Sequence, residues 1–558
     1  MKKQKAIKIA LLVIVLIFLI IRGIPYLVNI YLNANAGRIV SDMITRTPDF
    51  GGHDVHFGEI HINYNYQGTF LHLSDVKISP GSEITGKDKI NFNLSLDQAR
   101  LTGFSWIDFF FNNSITLDSA LIENMWVEST SPPLDSLELA EKEPAEKKRD
   151  YEAISVDDIR VNKVSFENRD SYSDSTRLSI TDLFVFGSDF VLSREDLENP
   201  HAMFRVGKIE GYLAQAAVHT NEYRNVFFAR DLSFDTAEGN LDIGQLLMDN
   251  KLEPYPYSAQ FEMETDWIEL KRGNVSFKGM DFQAYFREGA VKADKLSIAD
   301  WELVIFRDKR KPEDMKRRPK KIFELVRDLP LLLAIKEVVI SDGFVSYEER
   351  PETEAPRSGR IFFDGINASI TGLTNAADDL KENDEMILNA KGRLMGKGPI
   401  DLKISYFLQD STGKFLMDGS MGSIDLVALN QIVEPATKVS LKSGRVNSLF
   451  FDITANGVEG TGEVIVKYED LEIEILDKDF GHDQNIFQRI ASFLANKIII
   501  KSDNPDKNGE LKKGEVYYLR DQHKFIFKFW WELLLSGLKS TLTGDTEEEL
   551  RKKARRKD

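Results

Sequence analysis

The chain predicts a mainly β protein: an N-terminal transmembrane helix followed by a long succession of mostly antiparallel strands with a few short capping helices. Three observations point there. Residues 9–21 form an unbroken apolar run behind Lys2, Lys3, Lys5 and Lys8. Apolar and polar residues then alternate with a period of two through most of the body, which gives strands one buried and one wet face. Finally, one phrase recurs: a strand pattern, a small polar or Asp/Gly step, then a second strand pattern.

The N-terminal run alone is short for a bilayer core, which takes about 20 apolar residues. The sequence stays mostly apolar past Arg22, through "GIPYLVNIYL", so a span from Ile9 to about Leu32 is long enough if Arg22 snorkels to an interface. Ile9, Leu16, Ile21 and Tyr26 mark this anchor. A signal-peptide cut normally follows the apolar core closely. The nearest small-residue site, Ala34-Asn35-Ala36, comes thirteen to fifteen residues after Ile21, so an anchor that stays is the better reading. The leading lysines place the N-terminus in the cytoplasm.

In the body, Ile60, Ile62, Tyr64 and Tyr66 alternate with polar residues. So do Ile90, Phe92, Leu94 and Leu96; Ile400, Leu402, Ile404 and Tyr406; Val464, Val466 and Tyr468; and Phe525, Phe527 and Phe529. The recurring phrase is found at residues 117–129, 154–169, 291–307 and, most clearly, 335–350 ("IKEVVISDGFVSYEER"). It reads as one sheet grown by adding similar hairpins. Helices are expected near residues 25–45, 104–111, 320–333, 424–433, 485–496 and 530–542. Loops rich in proline, glycine and charge are expected at 131–150, 348–360 and 502–514. The resulting divisions are a cytoplasmic stub and anchor (1–33), an N-terminal β region (34–130), a charged linker (131–150), a repetitive β region (151–501), and C-terminal strands with an amphipathic helix and basic tail (502–558).

Strands with one apolar face must cover it, and these helices are too few. Either sheets pack on each other as closed sandwiches, or one sheet forms a trough whose inside is covered by another apolar substance such as acyl chains. Periodicity leaves both open.

Composition narrows the chemistry. The 558 residues carry a net charge of −17, which argues against nucleic acid as a partner. There is no cysteine, so disulfides, thiolate metal sites and cysteine nucleophiles are excluded. Residues 81–88, "GSEITGKD", approach a phosphate-binding loop but end in Asp88 and precede no helix; they read as a hairpin loop. His53, His56 and His61, with Asp54 and Glu59, are a local excess of ligands. His53 and His56 fall on opposite strand faces, so no metal site is expected. No catalytic constellation and no cofactor motif stands out. An exported hydrolase would need a deep polar pocket to be entertained.

The order of residues 424–476 is a short helix carrying Leu429-Asn430, Pro435, a strand into Ser443-Gly444, an apolar strand, a Gly-rich turn and Tyr468-x-Asp470-Leu471. This resembles the C-terminal part of AsmA-like envelope proteins, the superfamily that includes AsmA and TamB. The lysine-rich start, the anchor with "IPYLVNIYL", and "IKEVVISDGFVSYEE" are similar to that family as well. The resemblance covers the chain in patches and its motifs are structural, without a catalytic signature. It implies a single-pass inner-membrane protein of a Gram-negative bacterium. Its bulk would lie in the periplasm as a long, curled, mostly antiparallel sheet with an open apolar groove, and would carry phospholipids along that groove between inner and outer membranes. Its partners would be phospholipids, the inner membrane, and the outer membrane or other envelope proteins. Ile62, Phe92, Phe282, Leu402 and Val466 are the candidate groove lining. A scaffold of closed sandwiches is the alternative.

Two basic stretches need a role. Residues 307–321 are either a solvated loop or a contact for anionic headgroups. In the C-terminal helix, Trp530, Trp531, Leu534 and Leu538 are either a cap docked on the sheet end or an interfacial membrane helix, and the basic tail that follows leans to the second.

Overall fold

A computed structural model describes residues 22–45 (for 42–45 the backbone only), 53–65, 68–81, 90–132, 151–194, 205–220, 224–352, 355–476 and 502–555. Ile9, Leu16 and Ile21, residues 82–88, most of the 131–150 loop and the helix expected at 485–496 lie outside them. The chain divides into two compact units: Met1–Ile243 with Asp281–Gly289, and Gly244–Met280 with Ala290–Asp558. Both are mainly β and mostly antiparallel.

The first unit opens with two helices, α1 (Ile24–Ala34) and α2 (Ala36–Thr45), in place of the one expected at 25–45. Among the described residues no helix is long and apolar enough to cross a membrane. Of the expected anchor, the described residues include Tyr26, exposed on α1. Strands β1 (His53–His56) and β2 (Glu59–Asn65) both pair with β3 (Gly68–Pro80). Then follow β4 (Asn91–Thr102), the short helix α3 (Trp106–Phe111), β5 (Ser114–Ser131), β6 (Ala153–Asp170), β7 (Thr176–Ser193), β8 (Lys208–Thr220) and β9 (Asn225–Asp235). From β3 to β9 each strand pairs antiparallel with the next, except β5 and β6, which run parallel.

After β10 (Asn240–Asn250) come α4 (Pro254–Ala259), β11 (Asp266–Lys278), α5 (Phe282–Glu288, part of the first unit), β12 (Val291–Asp308), α6 (Ile322–Arg327), β13 (Leu333–Arg350), β14 (Gly359–Thr374) and α7 (Ala377–Glu382). The second unit continues through β15 (Glu385–Leu394), β16 (Gly398–Phe407), β17 (Phe415–Met421), β18 (Ile424–Asp425), a 3-10 turn and α8 (Asn430–Thr437). It ends with β19 (Val439–Ala455), β20 (Glu459–Ile475), β21 (Gly514–Leu519), α9 (Ile526–Thr543) and α10 (Glu547–Ala554). Here β12 and β13 are the parallel pair.

The recurring phrase is therefore no hairpin. Each copy lies within one 18-residue strand, β5, β6, β12 or β13, bent at a single left-handed residue: Asn124, Lys163, Asp300 or Asp342. At Lys163, Asp300 and Asp342 the antiparallel register shifts like a bulge and then recovers, and at Asn124 the pairing skips one residue on each strand. Asn and Asp tolerate the left-handed region better than other side chains. The left-handed residue resets the alternation. In β3, Leu71 and Leu73 precede Asp75 (φ 47°) and Val76 and Ile78 follow it, so all four point the same way despite the odd-to-even switch.

The two parallel pairs mark an internal duplication. Apart from α6 between β12 and β13, strand β4, helix α3 and strands β5 to β7 match β11, α5 and β12 to β14 in element order, and β4–β7 match β11–β14 in pairing sense. Gly103 and Gly279, Asp118 and Asp294, and Asn124 and Asp300 each lie 176 positions apart. Both glycines have positive φ, and a Cβ on either would overlap the matching aspartate carboxylate.

Two sequence expectations fail. Phe525, Phe527 and Phe529 form no strand: Phe525 is the N-cap of α9, which starts at Ile526, and Phe529 is buried on that helix. Phe282 also leaves the strand set. It opens α5 and is buried near Phe286 and Phe234, with ring centroids at 6.1 and 6.5 Å. On α9 the buried residues Ile526, Phe529, Leu533, Ser536 and Gly537 follow the helical period, which outcompetes the local alternation.

Candidate functional site

The feature that stands out in the first unit runs across its strands. Reading direct cross-strand partners from β3 to β9 gives Val76, Leu96, Met125, Val164, Leu183, Leu213 and Leu232 in one line. A second line starts at Ile62 and passes through Leu71, Leu101, Ala120, Ile159, Gly187 and Ile209. Lines through Leu73 and through Ile78 are likewise free of polar residues as far as β9. On the opposite face the equivalent line is Ser74, Gln98, Glu123 and Asn162. Seven strands at about 4.8 Å spacing make each apolar row roughly 29 Å long.

The rows begin in a cavity of about 320 Å³ beneath α2 and α3. Ile39 and Val40 of α2, Ile62 of β2, and Phe104 and Trp106 of the α3 segment line it, with the inward residues of β3, β4 and β5. Thr69 alone among the lining residues has a side-chain hydroxyl. That hydroxyl accepts a hydrogen bond from Trp106 Nε1 at 2.8 Å, so the tryptophan's polar atom is satisfied within the wall. No lining side chain titrates in the ordinary pH range. The cavity therefore offers dispersion and apolar burial without acid, base or nucleophile.

Further along, cover is uneven: Val164, Ile209 and Leu213 of the rows are buried, while residues at the margin of the face are not. Leu178, Val218 and Phe227 form a cross-strand set on the same face, and Val218 and Phe227 are 43% and 39% exposed. Isolated exposed apolar side chains are ordinary; a contiguous face of them marks a ligand or partner.

The second unit carries similar rows. One runs Phe277, Leu296, Val338, Ile370, Leu388, Ile404, Met417 and Ile453. Its last strands are closed by the chain itself. Leu533 and Phe529 of α9 are buried with Ile404, Phe415, Val464 and Val516. Gly537 allows this approach, since a Cβ there would overlap Val464. Trp530, Leu534 and Leu538 also pack on this core, and Trp531 is 40% exposed. The stripe is a docked cap in this structure.

The candidate lining residues divide accordingly. Ile62 lines the cavity wall. Phe92 lies on the same face at its rim, stacked on His53 at 4.1 Å, where its row turns polar at Ser129 and Asn168. Leu402 and Val466 sit on the inner face of the second unit, packed into or against the core under α9. Phe282 is a helix residue whose ring lies 6.5 Å from Phe234, the β9 end of the Leu73 row. Among the described residues no group of three His, Asp or Glu is placed to hold a metal.

The basic run at 307–321 is largely consumed inside the second unit. Arg307 binds Asp266 through two hydrogen bonds, of 2.7 and 2.6 Å. Lys309 meets Glu349 at 2.5 Å, Arg310 meets Asp308 at 2.6 Å, and Lys320 meets Asp328 at 3.2 Å. In the tail, Arg551, Lys552 and Lys553 pair with Glu547, Glu548 and Asp545. Sequence reasoning missed these acidic partners because most are near in space or on the next helical turn, and only the run of like charge is conspicuous.

No protein-family model and no curated protein sequence matches this chain.

Proposed function

We propose that the protein is a membrane-anchored, AsmA-like envelope protein that takes phospholipid acyl chains into the cavity beneath α2 and conducts them along the apolar rows, between the inner and outer membranes. The continuity of the rows across β3–β9 carries this reading. An acyl chain lying across the strands exchanges one apolar wall for another as it slides, so no step exposes new methylenes to water, at about 0.8 kcal/mol each. The headgroup has no partner in the lining and stays in solvent. The protein contributes surface and no catalytic residue.

Native mass spectrometry of the full chain is expected to show bound phospholipid. Leu183→Asp places a carboxylate in the middle of a row at a half-buried site, and is expected to cut lipid transfer between vesicles at least tenfold while leaving the unfolding midpoint nearly unchanged. Transfer at the wild-type rate would remove the rows from the path.

The closure of the last strands by α9 favours a second, structural reading for that end: a terminus that docks or scaffolds. Absence of bound lipid from the whole protein would extend that reading to the rest of the chain.

A further inference from the structure

We propose that α3, with the sequence Trp-Ile-Asp-Phe-Phe-Phe, is a wedge that seats the first unit on a lipid bilayer and holds the cavity mouth against the leaflet; its use in lipid uptake rests on the function proposed above. Ile107 and Phe110 are 69% exposed and Phe111 is 85% exposed. At positions i, i+3 and i+4 they form one face of the helix. The one charge, Asp108, is turned to the helix's own polar partners: Asn112 Nδ2 donates to it at 2.7 Å, and its backbone N–H donates to the N-cap Ser105.

The duplication supplies an internal comparison. The equivalents of Ile107, Phe110 and Phe111, 176 positions on, are Gln283, Phe286 and Arg287. In α5 the first and third are polar and exposed, and Phe286 is buried. A short helix at this place in the repeat thus needs no exposed apolar residue, and α3 carries three.

Two further observations select a bilayer as the occupant. Trp106, the first residue of α3, packs on the inner face of the N-terminal helices with Leu32 and Ala36. The outer face of α1 shows Tyr26, Leu27, Ile30 and Tyr31, all more than half exposed, and the sequence of this helix follows shortly after the apolar run at 9–21. Two apolar surfaces joined by one tryptophan, one of them next in sequence to the apolar run at 9–21, match the aromatic girdle of a membrane interface.

The chain has no cysteine, so single cysteines can be labelled without background. Phe111→Cys and, as control, Tyr172→Cys in the turn at the far end of β6 are labelled with an environment-sensitive dye. The full-length protein is then placed in phosphatidylethanolamine/phosphatidylglycerol vesicles. The dye at 111 is expected to shift to the blue and to be quenched by spin-labelled lipid; the dye at 172 is not. Equal water exposure at both sites overturns the wedge. A triple variant, Ile107→Ser, Phe110→Ser and Phe111→Ser, is expected to keep its unfolding midpoint and its lipid uptake from detergent micelles, but to extract lipid from vesicles about tenfold more slowly. An unchanged rate also overturns it. Bilayer burial at 111 with no lipid in the cavity would leave the wedge standing and remove the conduit.

Discussion

The side-chain amide of Asn33 pairs with both backbone groups of Ile62: Nδ2 donates to the Ile62 carbonyl at 2.6 Å, and the Ile62 N–H donates to Oδ1 at 3.0 Å. One helical turn earlier, Asn29 does the same to Tyr64, at 3.1 and 2.5 Å. Two asparagines four residues apart thus take the place of a neighbouring strand along β2. An open strand edge invites pairing with other chains, and here a helix supplies the missing ladder. Asn33→Ala should leave two backbone groups unpaired and destabilise this edge by about 1–3 kcal/mol. Hydrogen exchange at the Ile62 and Tyr64 amides checks it, with faster exchange at Ile62 expected first.

Gly103 is required twice over, by φ 73° and by the Asp118 carboxylate where a Cβ would sit. Gly103→Ala is expected to cost about 3 kcal/mol. Gly289→Ala has φ 65° but open space around it, and should cost only about 1 kcal/mol. Denaturant unfolding of both, together with Gly103→Ala/Asp118→Ala, separates backbone from steric cost, because removing the carboxylate should return part of the loss.

Glu269 on β11 faces Val304 across the ladder. Burial is the main reason its carboxyl is held above the ordinary glutamate value of 4.5; Lys271 opposes the shift, while Asp249, Glu253 and Glu302 add to it. For an acid with a raised folded pKa, ionisation works against folding. The penalty is absent below about pH 4 and grows as pH rises past the ordinary value and through the folded one. Glu269→Gln should therefore raise the unfolding midpoint at pH 7 and leave it unchanged near pH 4. A stabilisation of equal size at both would show that charge is not the cause.

Much of this architecture was legible because alternation records a face, and Ile62, Leu402 and Val466 were placed on the apolar side by that signal alone. The bulged strands were not. Asp342-Gly343 between two apolar runs is the strongest short hairpin signal a sequence offers. What decides against a turn is that the residues on both sides of Asp342 find parallel partners on β12, which local pattern does not encode. Phe282 was misplaced because one phenylalanine in a short segment fits either period. A helix was expected at 104–111, but its exposed face became conspicuous only beside its counterpart in α5.

Leu533 is fully buried where α9 meets β16, β17 and β20. Leu533→Ala should destabilise the second unit by about 2–5 kcal/mol and loosen α9 from Val464 and Val516. Limited proteolysis should then cut within α9 first. If cleavage moves instead to the first unit, α9 is not the weak point.

The apolar rows run at right angles to the covalent chain, and that decides how the protein can fail. No two neighbours along a row are neighbours in sequence, so a nicked loop or a long insertion between strands leaves every row intact. A slip of one residue in a single strand inverts its faces and would break all the rows at that strand together. The left-handed aspartates and asparagines in mid-strand are thus also alignment pins, and selection against one-residue insertions or deletions should be far stronger inside these strands than in any of the turns that join them.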